Sequence, residues 1–335
     1  MSDQLWLFEP PDDDTTRQQR ATLDALERRR DAAAAVAARL PDTVAFGTSS
    51  WSFPGWAGLV YPPGLSATAL GRDGLAHYAR HPLLTTVGVD RTYYAPIGID
   101  DLRHYAAQLP DGFRCCFKAP AAVTSRLTPS FGAPRHAHSD NPTFLSLERM
   151  MADLLEPLAA AFLPHTGPIV LEFPPGARDP RQPPAVFLEA LDRFLGSLPR
   201  EFDYAVEIRD AAVLTPAYRE ILRRHRVAHT YNYWSAMPMP LAQAAVVPLD
   251  TSETVVVRLL LRPGTWYEQQ RDHFKPFNRL VEPDEPMRDE VVQLTASALR
   301  RGRKVYVLVN NKAEGSSPLT VEALASRLAD MLAAG

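Results

Sequence analysis

From about residue 43 onward, short apolar runs of strand length alternate with longer stretches of helical character. The runs fall at residues 44–49, 85–90, 113–118, 169–173, 204–209, 227–232, 255–261 and 305–310, which makes eight. Helical stretches fit between them at residues 69–80, 99–109, 144–162, 186–198, 216–225 and 287–301, with 320–333 closing the chain, and only the sixth connection lacks an obvious full helix. Strands that alternate with helices argue for a parallel sheet covered by helices, because a parallel pair needs a long crossover. Eight such units over residues 43–335 predict an α/β fold, a (β/α)8 TIM barrel, with a doubly wound open sheet as the runner-up. Ahead of the barrel, the Ala-, Arg- and Glu-rich residues 15–39 suit an outer helix that ends before Pro41. Residues 1–42 are thus expected to be a flexible arm plus that helix, and residues 43–335 a single barrel domain.

Composition narrows the class. Apolar residues make up 46% and charged residues 22% of the 335, so a large core can be buried and wholesale disorder is excluded. A formal net charge of −3 disfavours a protein that coats polyanions through overall positive charge. Cys115 and Cys116 are adjacent and have no third thiol to pair with, which excludes a disulfide scaffold and a cysteine-based zinc site. The apolar runs are too short to cross a bilayer, and the first residues are acidic where a signal sequence would be basic and then apolar. A cytoplasmic protein without membrane contact is expected.

Strand parity then singles out candidate chemistry. In a TIM barrel, active sites gather at the carboxyl ends of the strands, and side chains there alternate between the barrel axis and the helices. On the fifth run, Ala205, Glu207 and Arg209 share one face, and the apolar Val206 and Ile208 share the other. The same argument turns Asp90, Lys118, Glu172, Asn232, Arg258 and Asn310 inward, so that three acids meet three bases. One reading is an ion network that only holds the mouth together, since buried charges persist when paired. The other is a functional site, because ionisable groups converging on the reactive face are a costly way to gain stability. On that reading Glu207 is the general acid or base, with Glu172 as a second carboxylate of a glycosidase-type pair and Lys118 beside them. Arg209, Arg258, Asn232, Asn310 and Asp90 bind substrate.

Aromatics after the strands, among them Trp51 and Trp266, suit stacking on a sugar or base, with Arg262, Arg271, Lys275 and Arg279 available to phosphates. The substrate is therefore expected to be small and polar or anionic, a sugar phosphate or a nucleic-acid component, and the enzyme a hydrolase or lyase. The alternative is a noncatalytic binding protein for nucleic acid or for a sliding clamp. His136, His138 and Asp140 sit in a Pro-containing loop, read as solvated and not as a metal site, and His229 is read as a hydrogen-bonded barrel residue. The sequence has no HExxH, Walker A, G-x-G-x-x-G or G-x-S-x-G pattern, so no cofactor and no metal is expected. In the arm, Gln4-Leu5-Trp6-Leu7-Phe8 resembles the short peptide with which bacterial repair and replication proteins hold the sliding clamp. Leu5, Leu7 and Phe8 would fill a groove, and Gln4 would bond at its rim.

At the strand ends the sequence also resembles the YecE-like family, domain of unknown function 72. The likeness is carried by Gly47-Thr48-Ser49-Ser50-Trp51 with Trp56 and Tyr61-Pro62, by FRCCFKAP at residues 113–120, and by LEFPP, AVEIR and LVNN at 171–175, 205–209 and 308–311. It implies a TIM barrel and no established reaction. Lys118, Glu207, Arg209 and Asn310 match the family pattern position for position. The second-strand motif has one acid fewer, reading Gly88, Asp90 and Tyr93-Tyr94, the fourth-strand Gln is Glu172, and the sixth strand reads HTYNYW with Asn232 where an acid is common.

Overall fold

The structure is a computed structural model that describes residues 14–129, 139–175 and 183–334. Eight strands, β1 (Val44–Thr48), β2 (Thr86–Val89), β3 (Arg114–Lys118), β4 (Thr166–Phe173), β5 (Tyr204–Ile208), β6 (Ala228–Tyr233), β7 (Thr254–Leu259) and β8 (Lys304–Val309), close into a parallel barrel in sequence order. Closure is made by β1 on β8, in register from Val44 opposite Val305 to Thr48 opposite Val309. The TIM-barrel expectation holds and the open sheet is excluded. On β1, Gly47 lets the second strand come close, because a Cβ there would lie 1.9 Å from the Thr86 carbonyl oxygen.

The strands obey period two. Outward side chains such as Val206, Ile208, Val305 and Val307 pack under the helices in one large core. Inward, Val170, Ala205, Ala228 and Val256 form a small apolar layer of their own, one inward position before Glu172, Glu207, Thr230 and Arg258 on the same strands. That layer is the floor on which the polar mouth stands.

The helices differ from expectation where glycine and proline intervene. The first crossover breaks at Gly74 into Ala67–Asp73 and Leu75–Tyr78. The third is helical over Leu147–Met150 and Glu156–Ala161, with a wide turn at Met151–Leu155 just before Pro157, whose missing N–H cannot continue a regular ladder. The sixth crossover does contain a helix, Pro240–Val246, started by a proline that needs no partner at the first turn. The outer helix is Asp14–Ala37, tied to the last helix, Ser317–Ala334, by Arg29 on Glu322 at 2.8 and 2.9 Å and by burial of Leu26 and Ala33. Gln4, Leu5, Leu7 and Phe8, and likewise His136 and His138, lie outside the described residues. Among the described residues, no helix is long and apolar enough to cross a membrane.

Candidate functional site

Parity delivers the predicted side chains to one place. Glu172 and Glu207 stand side by side on β4 and β5, and Arg258 on β7 reaches across the barrel to both, to Glu172 at 3.4 Å and in closer contact with Glu207. Arg209, just past β5, bridges the same two acids: its Nη2 donates to Glu172 at 2.6 Å and its Nε to Glu207 at 2.8 Å. The Lys118 ammonium at the end of β3 is 2.7 Å from Glu172. Asp90, after β2, is 3.5 Å from Arg258.

Burial grades these six groups from floor to rim. Glu207 is fully buried, and the side chains of Glu172 and Arg258 are 3% exposed. Lys118 and Arg209 emerge slightly at 9% and 14%, and Asp90 is 31% exposed. Burial works against the charge of Glu172, but Arg209, Lys118 and Arg258 outweigh it and hold the carboxyl well below the usual carboxylate range. The reciprocal holds for Arg258 and Arg209, whose charged forms survive burial because the glutamates raise them. Both oxygens of Glu207 are likewise taken, one by each arginine.

Two of the cations rest on aromatic faces. The Lys118 ammonium lies 3.6 Å from the centre of the Tyr93 ring, and the Arg209 guanidinium lies 4.2 Å from that of Trp234. Such contacts hold a cation without consuming it with a second anion. Tyr93 itself is pushed up to about 12, first by burial and then by Glu172, so it stays a neutral phenol.

Other predicted residues sit elsewhere or work differently. Trp51 is not at the mouth: it is buried, its Nε1 donates to the Leu70 carbonyl at 2.9 Å, and its ring meets Tyr105 edge-on. Asn232 is fully buried and spends its amide on the β5 backbone, Nδ2 donating to the Ile208 carbonyl at 2.8 Å. Asn310 accepts from the Lys312 backbone N–H at 3.1 Å and so shapes the turn after β8. Trp266 does stand free, 78% exposed on the loop after β7. The basic residues of that loop are largely answered nearby, Arg262 by Glu282 and Asp284, and Arg271 and Lys275 by Asp272. His229 points away from the mouth, hydrogen-bonded to Tyr218 at 3.0 Å and Gln243 at 3.1 Å, and burial pushes it down to about 4.

Sequence reading overlooked Lys312. It is half-buried beyond β8, close enough to Asp90, Arg271 and Arg209 to feel their charge. Parity does not extend past a strand end, but the signal was present in composition: only four residues of the chain are lysine, Lys118, Lys275, Lys304 and Lys312.

The opposite end of the barrel holds a cleft of about 380 Å³, lined by Val44, Phe46, Leu83, Arg114, Lys304 and Tyr306 among others. It contains none of the mouth residues.

A chain from Escherichia coli K12, UPF0759 protein YecE, is 32% identical over 163 residues, which are 49% of this chain and 47% of that one. The chain thus spans about half the length of the curated relatives it matches. A DUF72 family protein of Enterococcus faecalis V583 superposes with a TM-score of 0.56 at 14% identity, covering 86% of this chain and 97% of that one. One from Thermotoga maritima MSB8 superposes at 0.53 and 17%, covering 87% and 99%. These likenesses show the fold alone. The model of the family described as protein of unknown function DUF72 matches residues 45–334, nearly the whole barrel, and the chain belongs to that family.

Proposed function

We propose that the barrel mouth binds a small anionic substrate, a sugar phosphate or a nucleic-acid component, and that the protein is an enzyme acting on it. The observation that carries this reading is the set of cations at the mouth, Arg209 on Trp234 and Lys118 on Tyr93, each fixed from below by Glu172. Positive groups whose positions are set before a ligand arrives bind an anion without reorganising, which is how charge is stabilised in an enclosed site.

This reading reassigns the two glutamates. A carboxylate held ionised by three cations has no proton to donate near neutral pH, so Glu172 does not fit the acid of a glycosidase-type pair. Glu207, with both oxygens engaged and no exposed surface, is the group that fixes Arg209 and Arg258. Both are positioning residues. Proton transfer falls to the rim, where Asp90 and Lys312 stand, and Trp266 offers an exposed ring for the rest of the substrate.

The test is ligand-induced thermal stabilisation with paired compounds, ribose 5-phosphate against ribose. A bound ligand at about 100 times its Kd raises stability by about 2.7 kcal/mol. The phosphorylated sugar is expected to raise Tm and the free sugar not to, with the effect reduced at least about tenfold in apparent affinity by Arg209→Lys, which keeps the charge and loses the planar fork. Equal behaviour of the two sugars overturns the anion reading. Binding of an oligonucleotide with a steep salt dependence and no sugar-phosphate effect would transfer the site to the nucleic-acid-binding alternative.

A further inference from the structure

The two glutamates of the mouth spend their oxygens differently. Glu207 gives one oxygen to each arginine, Oε1 accepting from Arg209 Nε at 2.8 Å and Oε2 from Arg258 Nη1. Glu172 does not divide its load. Lys118 Nζ at 2.7 Å, Arg209 Nη2 at 2.6 Å and Arg258 Nη1 at 3.4 Å all make their nearest approach to one atom, Oε2. Among the described residues, no group donates a hydrogen bond to Oε1. Nor is that atom closed off. Asn232 Oδ1 and Arg258 Nε are without partners and sealed from solvent, whereas Glu172 Oε1 is not sealed and 3% of the side chain stays exposed. An ionised, buried carboxylate with one oxygen unused calls for a donor that the protein does not supply.

Arg209 shows the complementary surplus. Its Nε and Nη2 meet the two glutamates along one edge, and its plane lies 4.2 Å from the centre of the Trp234 ring. Nη1 makes no hydrogen bond among the described residues, so the Nη1/Nη2 end of the fork is open to a second anion. The contact between Nη2 and Oε2 sets this open donor edge beside the unused acceptor. An anion alone does not suit such a pair, because its oxygens only accept and one seated on Arg209 would face Oε1 as like charges. A ligand that places an O–H there turns the repulsion into a charge-assisted hydrogen bond. An ammonium in the same place would stand beside Lys118, Arg209 and Arg258, so the fitting donor is neutral.

We propose that Glu172 Oε1 determines the specificity of the mouth by accepting a hydrogen bond from a hydroxyl that the ligand carries a few bonds from its anionic group. This rests on the anion-binding reading above and narrows its ligand to a phosphate ester with a neighbouring hydroxyl, the chemistry of sugar and glycerol phosphates. The phosphate takes the open end of Arg209, and the hydroxyl turns toward β4. Glu172 then does more than hold its three cations: the oxygen they leave unused reads the ligand.

The probes are glycerol 3-phosphate and propyl phosphate, which have the same carbon chain with and without hydroxyls. Each is titrated calorimetrically into the full chain at about pH 8, where both esters have lost their second proton and offer no P–OH in place of a hydroxyl. The wild-type chain is expected to bind glycerol 3-phosphate at least about tenfold more tightly, the usual scale for a hydrogen bond to a charged oxygen. In Glu172→Gln the cations keep the amide oxygen and the amide nitrogen replaces Oε1, so the ratio should fall to within about twofold, with an unchanged circular dichroism spectrum. Arg209→Lys keeps Oε1 and should weaken both esters while the ratio stands. A residue that merely holds its neighbours would change the affinities and leave the ratio alone. Saturable, equal binding of the two esters to the wild-type chain overturns the hydroxyl contact and leaves the anion site standing, and binding of neither overturns both. A preference that survives in folded Glu172→Gln, or one that disappears in Arg209→Lys, takes the hydroxyl away from Glu172 and overturns the assignment.

Discussion

The two ends of this barrel both carry positive charge, and they handle it in opposite ways. At the amino end, Arg114 and Lys304 border the cleft with their side chains exposed, and Arg114 donates to the Thr166 backbone carbonyl at 3.1 Å. At the carboxyl end, Arg209, Arg258 and Lys118 are drawn inside and locked by two glutamates. The apolar layer of Val170, Ala205, Ala228 and Val256 separates the mouth from the lower barrel. A cation in water reorganises with every encounter, whereas one fixed by a buried carboxylate keeps its geometry and its field. The difference teaches that charge alone marks neither end as functional; the investment in holding the charge does.

That comparison predicts unequal sensitivity. Arg258→Met should be the most damaging, because it leaves Glu207 buried without its second partner, at a cost of about 3–5 kcal/mol. Denaturant unfolding at neutral pH measures it, and a loss below 1 kcal/mol would mean that water reaches Glu207 and the mouth is not locked. Glu172→Gln should cost less at neutral pH, on the order of 1–3 kcal/mol, and should change the response to acid. Because the folded-state value of Glu172 lies below its ordinary one, its ionised form contributes stability above the usual carboxylate range near 4.3, and that contribution drains away as the pH falls through and below it. The wild-type chain should therefore lose stability on acidification more steeply than the Gln variant, and parallel slopes in urea titrations from about pH 6 to 3 would contradict the ion-locked mouth. At the amino end, Lys304→Ala should stay within about 0.5 kcal/mol of wild type, as for an exposed residue without a fixed partner. A larger loss would show that the lower cleft is also built around its charges.

How much of this was legible beforehand follows from what each residue obeys. Glu172, Glu207, Arg258 and Lys118 lie within strands, where alternation of the backbone decides which way a side chain faces, and a linear pattern suffices. Trp51 and Lys312 lie beyond strand ends, where no period applies, and only the fold shows that one turns into the core and the other toward the mouth. Asn310 was placed at the right spot but its amide serves the next turn. The parts assigned to Glu172 and Glu207 depended on distances across the barrel, set for Glu172 by Arg209 and Arg258, which lie 37 and 86 positions further along the chain, and no local pattern records them. The broken helix at Gly74 and the added one at Pro240 are matters of single residues overruling a window average.

The seam between β1 and β8 has a consequence in time. Val44 pairs with Val305, so the first strand keeps an open edge until β8 has been synthesised, because strands are made in order from the ribosome. Contacts this far apart close late and expose unpaired backbone meanwhile. Lys312 and the turn that carries it follow β8 directly, so a prematurely terminated chain could hold both glutamates and Arg209 yet possess no finished mouth. The eighth strand and the turn behind it decide whether the strands made before them have anything to act on.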